Sequence, residues 1–402
     1  MAEEINRIFS PETIREQAQK IFKRIKEGQG HFNYHEEKWD SVVDHVVATI
    51  KDNYPTLEIP FHARYVHFKA GGHDRLAQKE SLLGEFDSKE RARILVDLVI
   101  TSVLLDAGAG PDWKYVEENS GETYSRSEGL GVASFDMFFA GKFCQDNSPK
   151  ATAEGLKNIS ASDLKECFQV TDSNPLVGVE GRVSLLNSLG KVVAKHDDIF
   201  PGGRPGGLVD FFFKEYGTEV PADELLKTLL LGLGPIWPSR LEKSGVSLGD
   251  VWEYPPLKNE GDEWSGLVPF HKLSQWLSYS LIEPLEEAGL RITNLDHLTG
   301  LPEYRNGGLF VDGGLISLKG EKAKEQKWRP DSEVIVEWRA LTICLLDLCA
   351  EKVRIKMNKT QAEFPLVKVL EGGTWWAGRR YASRERADSS PPIQIESDGT
   401  VF

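Results

Sequence analysis

Cysteine is scarce. Cys144, Cys167, Cys344 and Cys349 are the only four, and none stands in a CxxC spacing. That excludes a disulfide framework or a cysteine-rich zinc module. Cys344 and Cys349 sit in an apolar helical pattern and read as buried, inert thiols. Long apolar runs are missing too: the longest, ILVDLVITSVLL at 94–105, is interrupted by Asp97 and too short to cross a bilayer. Positive charge falls short of negative, with 48 Lys and Arg against 62 Asp and Glu and a net charge of −14. A nucleic-acid partner would ask for a basic face, so none is expected. A small anionic substrate in a local basic pocket stays open. The start, MAEEINRIF, lacks the basic, apolar, small-residue order of a signal peptide, and the few thiols fit a reducing compartment, so a cytoplasmic protein without membrane contact is expected. Strand–helix–strand alternation is absent, and GAG at 108–110 runs into Pro111 where a dinucleotide fingerprint would open a helix.

What is present is helical periodicity. Ser10 as cap, Pro11 at the first helical position, then Ile14, Ala18, Ile21, Phe22 and Ile25 predict one helix that ends at Gly28. Val42, Val43, Val46, Val47 and Ile50 predict a second, and a third runs from Ser88 to about Leu105. Ser160 and Asp163 look like a capping pair. Helical patterns also cover 181–196, 221–233, 270–289 and 333–356. Strand signals are few: YVHF (65–68), GLFV (308–311) and GLISL (314–318). The class is mainly α with a few short strands. We divide the chain into an N-terminal helical lobe (1–150) and a C-terminal helical lobe (151–384) with a long insertion near 239–267. A poorly ordered tail (385–402) follows.

Five polar clusters stand out. HARYVHFKAGGHDR (62–75) gathers Arg64, His67, Lys69, His73 and Arg75 around Gly71 and Gly72, a pattern suited to an anion. His62, His67 and His73 could instead hold a metal, although their spacing matches no standard ligand pattern. LLDAGAGPDWKY (104–115) puts Asp106 at the unfavourable end of an apolar helix, followed by Asp112 and Trp113; Arg126 and Glu128 open the next apolar segment. Arg204 lies in a Pro- and Gly-rich loop at 197–207. Glu337 and Arg339 flank Trp338 near the start of the last long helix, as a buried ion pair or as direct participants. In LTGLPEYRNGGLFVDGGLISL (298–318), Pro302 marks a helix start. Glu303 follows it beside free backbone N–H groups, with Tyr304, Arg305 and Asp312 close by. The glycines there point to close backbone approach, read as a ligand site.

The segments YVHFKAGGHDR, LLDAGAGPDWKY, YSRSEGLGVASFDMF, FPGGRPGGLVD, LTGLPEYRNGGLFVDGGL and VEWRALT resemble those of the uracil-catabolism protein family long labelled a domain of unknown function. The resemblance runs from the first helix to about residue 382. It implies a step downstream of ring opening in a pathway that turns uracil into its ribotide, opens the pyrimidine and releases urea. The order of elements is also similar to that of the queuosine-nucleotide N-glycosylases, helical proteins related to DNA glycosylases. This implies a DNA-glycosylase-like helical architecture. That family's catalytic aspartate would fall on Glu303, one methylene longer.

Together these readings predict a metal-independent N-ribosyl hydrolase without cofactor, acting on a small ribosyl or nucleotide-derived substrate such as ribosylurea or its 5′-phosphate. Glu303 would activate water, and Asp106 or Asp112 would assist the leaving group or hold a ribose hydroxyl. Arg305, Glu337 and Arg339 would orient the carboxylates, and the 64–75 cluster would take a phosphate. Trp113, Arg126, Glu128, Arg204, Tyr304 and Asp312 complete the expected substrate contacts. The alternatives are a metal-dependent amidohydrolase or deaminase using His62, His67 and His73, and a non-catalytic nucleotide-binding partner.

Overall fold

A computed structural model describes residues 2–237, 241–320 and 326–396. The chain is mainly α, and among the described residues its strands pair as two-stranded ribbons. Its contacts divide it into two compact units that interleave along the sequence, a different division from a single cut at 150. The first comprises Met1–His62, Arg240–Trp276 and Asn294–Phe402; the second comprises Ala63–Ser239 and Leu277–Thr293.

In the first unit the core helix is Glu333–Met357, buried on nearly every side through its N-terminal half. It packs on Pro11–Lys26, whose first turn is fixed by Ser10 Oγ accepting the Thr13 N–H at 3.1 Å. The Trp39–Asn53 helix also packs on it. Tyr304–Asp312 lies against Trp375–Glu385, and glycines set that approach. A Cβ on Gly378 would sit 2.1 Å from the Arg305 carbonyl oxygen, and one on Gly307 would sit 2.9 Å from Trp338 Nε1. The glycine-rich stretch thus serves close contact between helices. Phe32–Tyr34 pairs antiparallel with Ile316–Leu318, as GLISL predicts. The insertion folds into two small hairpins, 242–247 and 251–269, with residues 238–240 outside the described set.

In the second unit Ser88–Leu104 starts at Asp87, whose carboxylate accepts the Glu90 N–H at 2.8 Å, and packs on Arg126–Phe139. The Ser160–Asp163 capping box is present. Val179–Lys195 and Ala222–Leu233 occupy the expected spans, as does the Lys272–Glu287 helix.

Three local expectations are corrected. YVHF is part of a helical turn, Arg64–His67, because the buried Arg64 guanidinium anchors the segment and overrides its β-forming composition. GLFV is the second half of the Tyr304–Asp312 helix, since Glu303 supplies a cap that starts it. The tail is built onto the first unit as far as residue 396: Arg386 grips Asp312 with two hydrogen bonds of 2.8 and 2.6 Å, and Gln394–Ile395 pairs with Lys327–Trp328. Residues 397–402 lie outside the described set. All four cysteines are free, and burial pushes the Cys344 and Cys349 thiols up to about 12. Among the described residues no helix is long and apolar enough to cross a membrane.

Candidate active site

Glu303 is the residue around which the first unit's polar chemistry gathers. Its Oε2 accepts the Arg305 N–H at 2.7 Å and its Oε1 the Asn306 N–H at 2.5 Å, which fixes both oxygens at a helix N-terminus. Only 8% of the residue is exposed. Burial raises the carboxyl pKa above its ordinary value, against the opposing pull of those N–H bonds and of the charges of Lys272 and His62. A carboxyl tuned upward in this way is a better proton acceptor than an ordinary one.

The support beneath it comes from Asp250, a residue in the insertion that the sequence did not flag. Asp250 takes the Arg339 guanidinium in a two-pronged pair at 2.7 and 2.7 Å, and its Oδ2 accepts the Lys272 N–H at 3.0 Å. Arg339 Nε reaches the Pro302 carbonyl at 3.3 Å, immediately before Glu303. Burial pushes the Asp250 carboxyl up, but the Arg339 charge and hydrogen bonds overcome it and hold it far below the usual carboxylate range. One ionised carboxylate therefore ties the start of the Lys272 helix to the turn that carries Glu303.

A second relay is organised by a π-helical turn at Leu370–Thr374, a rare element that is frequent at functional sites. It presents Glu371, buried, whose Oε2 meets His62 Nδ1 at 2.7 Å while Oε1 accepts the Tyr54 hydroxyl at 3.0 Å. A carboxylate on Nδ1 fixes the imidazole and leaves Nε2 for other work. Thr374 donates to Asn306 Oδ1 at 2.8 Å, joining the π turn to the first turn after Glu303. Trp375 lies 6.2 Å from His62, ring to ring, and the Arg379 guanidinium stands 5.5 Å over Trp375 and 5.2 Å over Trp376. His62 entered the sequence reading only as a metal candidate, and Glu371 not at all. EGGTWW at 371–376, a carboxylate beside paired glycines and tryptophans, was the available signal.

The remaining predicted residues of this unit have structural partners. Arg305 donates to the Ser389 carbonyl at 2.8 Å and stacks 4.9 Å over the Tyr304 ring. Asp312 belongs to Arg386. Glu337 and Arg339 do not pair with each other: they stand two positions apart on a helix and diverge, Glu337 toward His31 and Tyr254.

The other predicted residues lie in the second unit. Asp106 pairs with the fully buried Arg64 at 2.9 Å, and Arg64 Nε donates to Ser102 Oγ at 2.7 Å. The turn carrying Asp106 is fixed by Arg182, which the sequence reading missed: it donates to the carbonyls of Leu105, Ala107, Gly108 and Val177. Burial lowers the Arg182 pKa to about 10. Glu128, in the first turn of its helix, adds its charge to the surroundings of Arg64. His67 packs against Gly131.

At 64–75, where a phosphate cradle was expected, the basic side chains have partners within the protein. Arg75 is consumed by Glu117 at 2.6 and 2.7 Å and by the carbonyls of Phe68, Ala70 and His73. The space beside Gly71 holds Tyr124 and the Glu122 carboxylate. His73 faces Glu122 at 3.5 Å, and Lys69 is exposed beside Asp74. Arg204 is likewise structural, bound to Asp97 and Glu90. Trp113 is core, donating to the Phe168 carbonyl at 2.9 Å. Asp112 and Arg126 are exposed. His62, His67 and His73 form no metal-binding group among the described residues; the one group close enough is His31, Glu333 and Glu337.

The family model described as a protein of unknown function, DUF1688, matches residues 7–402. The chain is 39% identical over 431 residues to uracil catabolism protein 4 of Lachancea kluyveri, covering 97% of each. It is 38% identical over 414 residues to protein urg3 of Schizosaccharomyces pombe strain 972, covering 100% of this chain and 99% of that one. A match spanning nearly the whole length, with both relatives aligned end to end, places this chain in the DUF1688 family.

Proposed function

We propose that the chain is a metal-independent hydrolase of an N-ribosyl bond in uracil catabolism, acting on ribosylurea, its 5′-phosphate or a related nucleotide. The pathway rests on the names of its relatives. The bond rests on one observation: a buried, proton-favouring carboxyl on Glu303, held rigid by two backbone N–H groups beside the charges of Lys272 and His62.

Hydrolysis of such a bond needs a positioned water, stabilisation of an oxocarbenium-like sugar and a proton for the departing nitrogen. The ionised Glu303 offsets the positive charge that builds on the anomeric carbon, and it then takes the proton of the attacking water as the new C–O bond forms. The C–N bond breaks, and His62, aligned through Nδ1 by Glu371, delivers a proton to the leaving nitrogen. Trp375 offers a flat face to a planar ureide or base.

Glu303→Gln is expected to lower urea release from ribosylurea by about 10²- to 10⁴-fold, the usual worth of general acid–base catalysis. Its cost in stability should be about 1 kcal/mol, that of an impaired helix cap. Turnover within a few-fold of the parent would remove Glu303 from the chemistry. Tight binding of uridine-derived nucleotides by the parent chain, with no turnover of any of them, would favour a nucleotide-binding partner instead.

A further inference from the structure

The Glu337 carboxylate is 0% exposed, yet the partners that hold it are an imidazole, a phenol and a backbone N–H. A buried carboxylate calls for compensation by a cation or a metal. We propose that His31, Glu333 and Glu337 bind a divalent transition-metal cation of the zinc type, clamping the loop before Phe32 to the start of the long Glu333–Met357 helix. This inference is independent of the hydrolase reading.

Glu333 and Glu337 are one turn apart on the same helical face, and His31 closes over them from the loop. One ligand atom from each lies within 4.8 Å of the other two. Zinc bonds of about 2.0–2.2 Å set tetrahedral ligands roughly 3.3 Å apart, so a modest rotamer change of the half-buried Glu333 brings three protein ligands to the metal and leaves the fourth position to water. One imidazole with two carboxylates suits zinc or manganese better than calcium or magnesium, which favour all-oxygen shells.

The surroundings are already organised as an outer shell. Glu337 Oε2 accepts the His31 N–H at 2.7 Å, and Oε1 accepts the Tyr254 hydroxyl at 2.7 Å and meets His31 Nδ1 at 3.1 Å. Lys319 Nζ donates to the Gly28 and Gly30 carbonyls at 2.8 and 2.9 Å and pins the loop. Gly30 has φ +76°, and a Cβ there would lie 2.6 Å from Glu337 Oε1, so glycine is what lets the loop close on the carboxylate.

The test uses the full chain, stripped with chelator and titrated with zinc chloride by calorimetry. Cobalt(II) absorption provides a readout of coordination that does not depend on any variant. We expect one zinc per chain, a tetrahedral cobalt(II) band, and at least ~10-fold weaker binding in Glu333→Gln and in His31→Gln, two part-exposed positions whose folding circular dichroism can verify. Zinc should raise the melting temperature of the parent and not of the variants. Binding weaker than about 100 μM in the parent, or equal binding by both folded variants, would overturn the proposal.

Discussion

Glu117 and Glu303 are both buried glutamates, one in each unit, and they are treated in opposite ways. Glu117 faces the Arg75 guanidinium through two short hydrogen bonds. Burial pushes its carboxyl up, but the Arg75 and Ser120 hydrogen bonds outweigh it and hold it below the ordinary value. Glu303 is held by backbone N–H groups, and burial wins, raising it. A guanidinium locks a buried carboxylate into its charged form and makes it part of the scaffold. Backbone dipoles fix the position of a carboxylate and leave its proton exchangeable. Density of charged residues in the sequence therefore points toward scaffold, while reactivity is to be sought where the charge is supported more weakly.

Arg75→Met would test that contrast hardest. It leaves Glu117 buried without its cation and should cost about 3–5 kcal/mol in denaturant unfolding. A loss below ~1 kcal/mol would mean that the pair is not the staple of the 68–75 turn.

Gly378→Ala should come next. Its Cβ would meet the Arg305 carbonyl oxygen at 2.1 Å, a backbone atom that cannot swing away. Overpacking of this kind costs roughly 1–3 kcal/mol. Because the displaced segment follows Glu303, turnover should fall together with stability. Unchanged turnover in a destabilised variant would separate the helix contact from the site.

The smallest effect is the sharpest in sign. Glu303 favours its proton in the folded state, so its contribution to stability is present in full below pH 4.5, its ordinary value, and is lost as pH rises through the elevated folded value. For Glu117 the contribution is present above pH 4.5 and is lost as pH falls through the depressed value. Melting temperatures of Glu303→Gln and Glu117→Gln, followed against pH and each compared with the parent, should diverge from it in opposite directions. Parallel curves would show that the two carboxylates are alike.

The helices were legible because each is specified locally: Ser10 before Pro11, the Ser160–Asp163 box, and apolar stripes at helical spacing. The Pro302–Glu303 helix start was legible for the same reason, and Glu303 does cap it. YVHF and GLFV were misread because a buried arginine and a cap outweighed strand propensity. The partners of the 64–75 cluster were not legible, because Arg75, Lys69 and His73 find carboxylates brought from residues 74, 117 and 122 by the turn and the ribbon that follows. Asp250 and Glu371 escaped notice, and His62 was read only as a metal candidate, because none is informative alone; each acquires meaning from a partner that lies tens to hundreds of positions away.

By itself the sequence determined the class of the molecule, its main helices and the segment in which a carboxyl meets free backbone N–H groups, since periodicity and capping act within a few residues. Only the tertiary structure decided which charges are spent on one another and which are left for chemistry. That choice depends on burial and on partners from distant segments: Asp250 under Arg339, Glu371 on His62, Glu117 on Arg75. A carboxylate's proton affinity follows from where the chain ends up.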